Sequence, residues 1–492
     1  MFHMSSLRAQ AFSAVRSTAS AGLFRIVLQL VQLGILARLL TPADFGLVAM
    51  AMAVIGPAMI LCDFGLGTAI IQRQGTTSRE FTAILTTQLA AAAACAVSLA
   101  LGGQLLARGF DEPRLAAILL MACPLLVLAA AGQPVRAVLE RELAFGTLAL
   151  IETAAAIVGF AISVHLARMD WGAHALVLGQ VAAVGTATIL MWLSRPAGLA
   201  RLSAFRPGDI RPFLRFGTGM LANGLLSSLS CNADTILGGR LLQSLALGHF
   251  QVVRDLCLRV DAYLSPIVGR VGLPLLAKAQ HDPPRLGSIY LTSLLMTTSM
   301  VTPVMIGLGV FAEDVVAVLL GPGWGRSVVL LQLLAAWGLL RSAAGQSGIL
   351  AFATGRIRLA VYWNVGMFLL VPLPLWFGAS MGGDIGLAAA LLAIQLVVAV
   401  PNWAFLIRPC APIPLVRYLA QLGIPLLCAI PGALAGLLVV VPFAESPPAM
   451  RLVIGMSTLF AIYLATSAIL NRKWLAAVRE LVRLRTPNRL EA

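Results

Sequence analysis

The 492-residue chain is short of charge before anything else. Asp, Glu, Lys and Arg together make up 11% of it, where a soluble domain carries about 25%. Lysine is nearly missing, with Lys278 and Lys473 the two examples. So few charges cannot cover the surface of a soluble enzyme. Intrinsic disorder is excluded as well, because 59% of the residues are apolar and disorder requires low hydrophobicity. Neither lysine follows a glycine, so no G-x-x-x-x-G-K-[ST] phosphate loop can form. No H-E-x-x-H occurs among the five histidines, no D-x-D pair occurs at all, and the seven cysteines form no C-x-x-C. These absences leave no catalytic residue, metal site or cofactor to assign. The longest connections between apolar blocks, about 194–212 and 312–326, are too short to fold a catalytic domain. Whatever the protein does, it does between its helices.

What is present is a series of apolar blocks, each close to the roughly 20 residues that cross about 30 Å of hydrocarbon as a helix. They fall at 17–40, 45–71, 81–107, 114–134, 145–167, 172–193, 213–238, 246–272, 286–311, 327–353, 357–379, 384–407, 415–441 and 450–470. A barrel is excluded, since barrel strands alternate with period two in runs of about ten. The fold class expected is an all-α polytopic membrane protein of about 14 transmembrane helices. With the N-terminus in the cytoplasm, inside segments hold 23 Lys and Arg and outside segments hold five. That bias predicts cytoplasmic N- and C-termini. The net charge of +15 then reflects orientation, with anionic lipid a partner for the basic tail, and implies no nucleic acid. No apolar stretch precedes the first block, so that block is expected to act as the insertion signal.

Two halves of the chain resemble each other. Arg38, Leu39, Leu40 and Gly46 match Arg240, Leu241, Leu242 and Gly248 at a constant offset. Each set lies where the first helix of a six-helix block turns into the second. The copies lie six spans apart, so they point the same way, which is the parallel kind of repeat. The expected organisation is a six-helix lobe over 1–193, a basic linker over 194–212, a second six-helix lobe over 213–407, two further helices over 408–470 and a cytoplasmic tail over 471–492.

Polar residues inside the spans are the candidate site, because a mid-membrane charge costs about 2.5–3.5 kcal/mol and faces a partner or a wet cavity. On a helical wheel Gln251, Arg254, Asp255, Arg259, Asp261 and Ser265 share one arc of span eight, opposite Val253, Leu256, Cys257 and Val260. Pairing of Asp255 with Arg259 at i,i+4 is the simpler alternative. Asn223, Ser227, Ser230 and Asp234 share a face of span seven; helix–helix hydrogen bonding could account for all but the carboxylate. Arg25 lies about 12 Å into span one and could instead snorkel to the interface. Asp63, Glu152 and Arg341 are intramembrane charges with no partner assignable from sequence. Arg38 and Arg240 read as anchors at helix ends. Prolines such as Pro57, Pro124 and Pro303 interrupt the spans, as broken helices lining a cavity do.

The stretch Leu36–Arg73, LARLLTPADFGLVAMAMAVIGPAMILCDFGLGTAIIQR, resembles the N-terminal signature of bacterial polysaccharide exporters of the Wzx and colanic-acid-exporter type. That type belongs to the MOP superfamily, which also holds MATE drug antiporters and the lipid II flippase. The segment Asn232–Arg240 resembles the family's N-x-D-x-x-x-x-G-R, and Leu247-Gly248-His249-Phe250 resembles a site where the family more often has Gly-Tyr. The resemblance implies a flippase of the bacterial inner membrane, working by alternating access between two six-helix lobes. Its cargo would be an oligosaccharide repeat unit joined through diphosphate to undecaprenol, made and used by glycosyltransferases and a polysaccharide polymerase. It further implies that Arg25, Arg254, Arg259 and Arg341, with Asn223, Gln251 and Asp261, contact phosphate or sugar. Asp63, Glu152, Asp234 and Asp255 would pair charges or bind a coupling cation. Three other readings remain open from sequence: a H⁺- or Na⁺-coupled MATE-type drug antiporter, a membrane glycan polymerase or ligase, and a purely structural scaffold, which the cost of so much buried charge disfavours.

Overall fold

The computed structural model describes residues 25–72, 77–194, 221, 224–472 and 474–475, and among them it contains helices and no strand. Helix covers all or part of each of the fourteen expected blocks. Ten helical stretches among the described residues are long and apolar enough to cross a membrane. One of the ten covers the eleventh and twelfth blocks together. The protein is a multi-pass membrane protein, and about fourteen spans are compatible with what is seen.

The chain forms two compact units, Met1–Gly248 and His249–Ala492. The first contains α1 (25–39), α2 (Pro42–Asp63), α3 (Leu66–Gln72), α4 (Ser78–Gly109), α5 (Leu115–Arg141), α6 (Phe145–Ala167), α7 (Ala173–Leu193), α8 (224–231), α9 (Ala233–Leu241) and the first turn of α10 (Ser244–Lys278). Two starts are written in the sequence as T-x-x-D and T-x-x-E. The Asp44 carboxylate accepts from the Thr41 N–H at 3.0 Å, and that of Glu80 from the Thr77 N–H at 2.9 Å. Each satisfies a donor that the helix leaves free at its first turn. Asp44 also accepts from the Ala173 N–H at 3.0 Å, which ties the start of α2 to the start of α7. Arg240, in the last turn of α9, donates to the Gly109 carbonyl at 2.7 Å. Nearby, Arg114 donates to Glu112 at 2.9 Å and holds that carboxyl below its ordinary range.

Several blocks differ in detail from their expected form; block eleven, for one, divides at Val371 between helices Ile357–Leu370 and Pro372–Asn402. Block two is not one helix. It breaks after Asp63, where Phe64 and Gly65 both turn left-handed at φ +50° and +67°, and resumes at Leu66. Block four does not stop at Pro134; α5 runs on to Arg141. A proline removes one donor, and membrane helices absorb that loss through neighbouring groups. Block seven is interrupted at Asn232, whose side chain donates to the Ser228 carbonyl at 2.9 Å.

The second unit carries the rest of α10, then α11 (Pro283–Val310), α12 (Ala312–Leu319), α13 (Ser327–Ala353), α14 (Ile357–Leu370), α15 (Pro372–Asn402), a π-helical turn at Trp403–Ile407, α16 (Arg408–Cys410), α17 (Leu415–Val440) and α18 (Pro448–Leu470). α15 is a hairpin. On a straight helix Gly378 and Gly386 would stand about 12 Å apart. Instead a Cβ on Gly386 would lie 2.0 Å from the Gly378 carbonyl oxygen, so the chain turns back at Gly383, φ +62°. The last two helices are locked into this unit. Tyr463 donates to the Ser299 carbonyl at 2.8 Å, Asn471 to the Ser299 hydroxyl at 2.8 Å, and Thr298 to the Gln421 carbonyl at 3.1 Å.

Asp384, fully buried beside the hairpin turn, is gripped by both Nε and Nη2 of Arg326 at 2.7 Å. Replacing Arg326 by Ala strands that carboxylate with the Ile385 N–H at 3.0 Å. The expected loss is about 2 kcal/mol, below the usual figure for a buried pair because the guanidinium is itself half exposed. Adding Asp384→Asn should recover most of it, and thermal melts of the detergent-solubilised variants check both outcomes.

Candidate functional site

Within the first unit the structure brings together charges that the sequence left apart. Glu152, on α6, binds two arginines at once. Its Oε2 accepts from Arg25 on α1, and its Oε1 pairs with Arg136 Nη2 at 3.0 Å. Arg136 also donates through Nε to Glu140 one turn further along α5, at 2.8 Å. Sequence alone offered Glu152 no partner; the structure supplies two. Arg136 lies five residues before the end of α5 and Glu152 seven residues after the start of α6. At 1.5 Å per residue both sit about 7–11 Å from the linked ends of those helices, which is why they meet. The extension of α5 past Pro134 makes this possible. Arg25 is committed to Glu152 rather than snorkelling, yet its buried Nε has no acceptor among the described residues.

Arg136 and Glu140 escaped the sequence reading because block four was ended at 134, two residues before Arg136. The i,i+4 spacing R-x-x-x-E, continuing an apolar helix, was the available signal.

Asp63 marks the break between α2 and α3. The Gln88 amide, fully buried on α4, donates to the Asp63 Oδ1 at 2.8 Å and to its carbonyl at 3.1 Å. The Gly67 N–H adds a longer contact to Oδ1 at 3.4 Å. A broken helix end at membrane depth needs such donors and acceptors, since lipid supplies none. The lone amide in an Ala-rich stretch was the clue to Gln88. Asp234 is buried in the first turn of α9 and accepts from the Thr235 N–H at 2.8 Å. Asn223 lies outside the described residues.

In the second unit, α10 follows the expected division only in part: Arg254 of the polar arc is buried, and Val260 of the apolar arc is half buried. Val253, Leu256 and Cys257 are buried, and Cys257 packs beside Gly338 of α13. The polar arc is half buried at Gln251, Asp255, Arg259, Asp261 and Ser265, with Arg254 fully buried. Gln251 donates to Asp255 at 2.9 Å, Arg254 approaches the same carboxylate at 3.9 Å, and Ser265 donates to Asp261. The stripe is therefore already cross-linked along its own helix, although most of it is not enclosed.

Arg341 is different. It stands near the middle of α13, about 21 Å from one end and 18 Å from the other at 1.5 Å per residue. Its guanidinium lies 5.3 Å from the centre of the Trp337 ring, a cation–π contact. No carboxylate pairs with it among the described residues, and its buried Nε has no acceptor there. Among the described residues, its surroundings therefore include an aromatic face and no counter-charge.

A family model described as polysaccharide biosynthesis protein matches residues 35–329, more than half of the chain. The chain is 28% identical over 433 residues to the lipopolysaccharide biosynthesis protein WzxC of Escherichia coli K12, covering 87% of each. It is 28% identical over 398 residues to the teichuronic acid biosynthesis protein TuaB of Bacillus subtilis 168, covering 80% of this chain and 82% of that one. Among solved structures it is similar to the lipid II flippase MurJ in an inward closed conformation. There the TM-score is 0.73 and the identity 15%, with 93% of this chain and 99% of that one covered, a likeness of fold.

Proposed function

Because the chain belongs to the polysaccharide biosynthesis protein family, we propose that it is a flippase for an undecaprenyl-diphosphate-linked oligosaccharide, a transporter and not an enzyme. It moves the sugar–diphosphate headgroup from the cytoplasmic to the periplasmic leaflet of a bacterial inner membrane while the lipid tail stays in the bilayer. Glycosyltransferases on one side make the unit and a polymerase on the other consumes it. Arg341 carries this reading: a mid-span guanidinium with no carboxylate partner among the described residues suits a ligand that brings negative charge. A diphosphate does so, and its oxygens match the planar fork of a guanidinium. Arg259, Gln251 and Asp261, half buried on α10, supply the hydrogen bonds that sugar hydroxyls need, the buried Arg254 steadies the Asp255 carboxylate, and Asp63, Asp234 and Asp255 position charge. A cationic-drug antiporter would instead want its carboxylates free, and Glu152 is held by two arginines.

The test is deletion of the gene, with lipid-linked repeat units measured in inside-out and right-side-out vesicles. The expected result is loss of surface polymer, with repeat units trapped on the cytoplasmic face. Normal polymer and no trapped intermediate would overturn the reading.

A further inference from the structure

We propose that Glu152 is a built-in substitute for the substrate's anionic headgroup: it occupies Arg25 and Arg136 when no substrate is bound, and a diphosphate displaces it to bind the same two arginines. This rests on the flippase reading and adds two arginines of the first unit to the groups that meet the anion.

The geometry is that of a ligand site already filled. One carboxylate spans two guanidiniums brought by α1 and α5, with one oxygen turned to each. Carboxylates use fewer donors than two guanidiniums offer, since each guanidinium has five N–H groups. The surplus is visible in Arg25, whose Nε is buried with no acceptor among the described residues. A doubly esterified diphosphate has four non-bridging oxygens and two negative charges. It can take both forks bidentately and reach donors that Glu152 leaves idle.

Charge makes the exchange reversible. With Glu140 and Glu152 ionised, Arg25, Arg136 and the two acids sum to zero, so an incoming anion gains nothing until Glu152 swings out of the pair. Once it has swung away, the remaining three groups carry a net positive charge that attracts the headgroup. On release, Glu152 returns and neutralises the arginines, so that neither is left unpaired at membrane depth. Glu152 therefore weakens binding and in doing so allows release. Glu140 accepts from the Arg136 Nε and orients that side chain.

Glu152→Gln removes the competing charge while keeping the shape. Purified full-length protein in detergent is titrated with farnesyl diphosphate, with farnesol as the uncharged control. The substitution is expected to tighten diphosphate binding by about tenfold, the effect of one favourable charge interaction at a half-buried site. Flipping in reconstituted vesicles should slow, because release is impaired. Adding Arg25→Ala to Glu152→Gln should abolish the gain. Unchanged or weaker binding by folded Glu152→Gln would overturn the proposal and show a structural ion pair. Should that variant not fold, Glu152→Asp serves instead: the acid is shorter by one methylene and reaches one arginine less well, so binding should again tighten, and failure to do so overturns the idea. Absence of diphosphate binding to the unsubstituted protein, with farnesol and farnesyl diphosphate indistinguishable, would sink the flippase reading itself and not this refinement alone.

Discussion

Arg341→Ala is expected to reduce flipping of a lipid-linked oligosaccharide by about a hundredfold, the usual scale for removing one member of a desolvated charged contact. Insertion should not suffer. A mid-membrane arginine costs about 2.5–3.5 kcal/mol to insert, and this one recovers none of it from a carboxylate among the described residues. The variant should therefore reach the membrane at normal or higher abundance while transporting poorly. Arg341→Lys keeps the charge but loses the planar fork and weakens the contact with Trp337, so it should fall between the two. The measurement is headgroup translocation in vesicles reconstituted with equal amounts of protein. Wild-type rates from Arg341→Ala would remove the observation on which the proposed function stands.

The second large effect is structural. Gly46 and Gly248 occupy equivalent places in the two sequence repeats, and in the structure they pack against each other. A Cβ on Gly46 would lie 1.9 Å from the Ser244 carbonyl oxygen and 2.9 Å from the Gly248 nitrogen. A Cβ on Gly248 would lie 1.7 Å from the Pro42 carbonyl oxygen and 3.1 Å from the Gly46 nitrogen. The contact is reciprocal, because Pro42 and Ser244 are themselves equivalent repeat positions. The first turns of α2 and α10 thus cross backbone to backbone, an approach that only residues without side chains permit. Gly46→Ala or Gly248→Ala must push the turns apart by more than 1 Å and forfeit the contact. Each should cost about 3 kcal/mol, at the upper end for overpacking. The double variant should cost little more than either single one, because the first methyl already separates the helices. Melting temperatures of the solubilised protein check this, and unaltered melting in both single variants would disprove it.

How much could be read without the fold follows from the range over which each signal acts. Hydropathy, turn chemistry and capping are sums over neighbours in sequence. They placed α6 and α13 at their observed limits and left 380–383, which holds the turn at Gly383, between two spans, whereas the capped starts at Thr41 and Thr77 went unread. The amphipathic character of α10 was equally local. Block four was ended seven residues early, at 134, because a membrane helix can run on through Pro134 when its neighbours satisfy the freed groups. That single boundary concealed Arg136 and Glu140, and with them the partners of Glu152.

The sequence by itself determined that the protein is a multi-pass helical membrane protein without recognisable catalytic motifs, with an internal repeat and a family likeness to polysaccharide exporters. Those conclusions rest on composition and on short motifs, which need no third dimension. Only the tertiary structure decided which buried charges are neutralised. Glu152 takes Arg25 from more than a hundred residues away, Asp63 takes Gln88, and Arg341 takes no acid among the described residues. It also decided that two glycines spaced as repeat equivalents touch. The physical reason is the same in each case. Pairing and close approach depend on distances across the fold, and a charge in low dielectric is judged by what stands within a few ångströms of it, not by its neighbours along the chain.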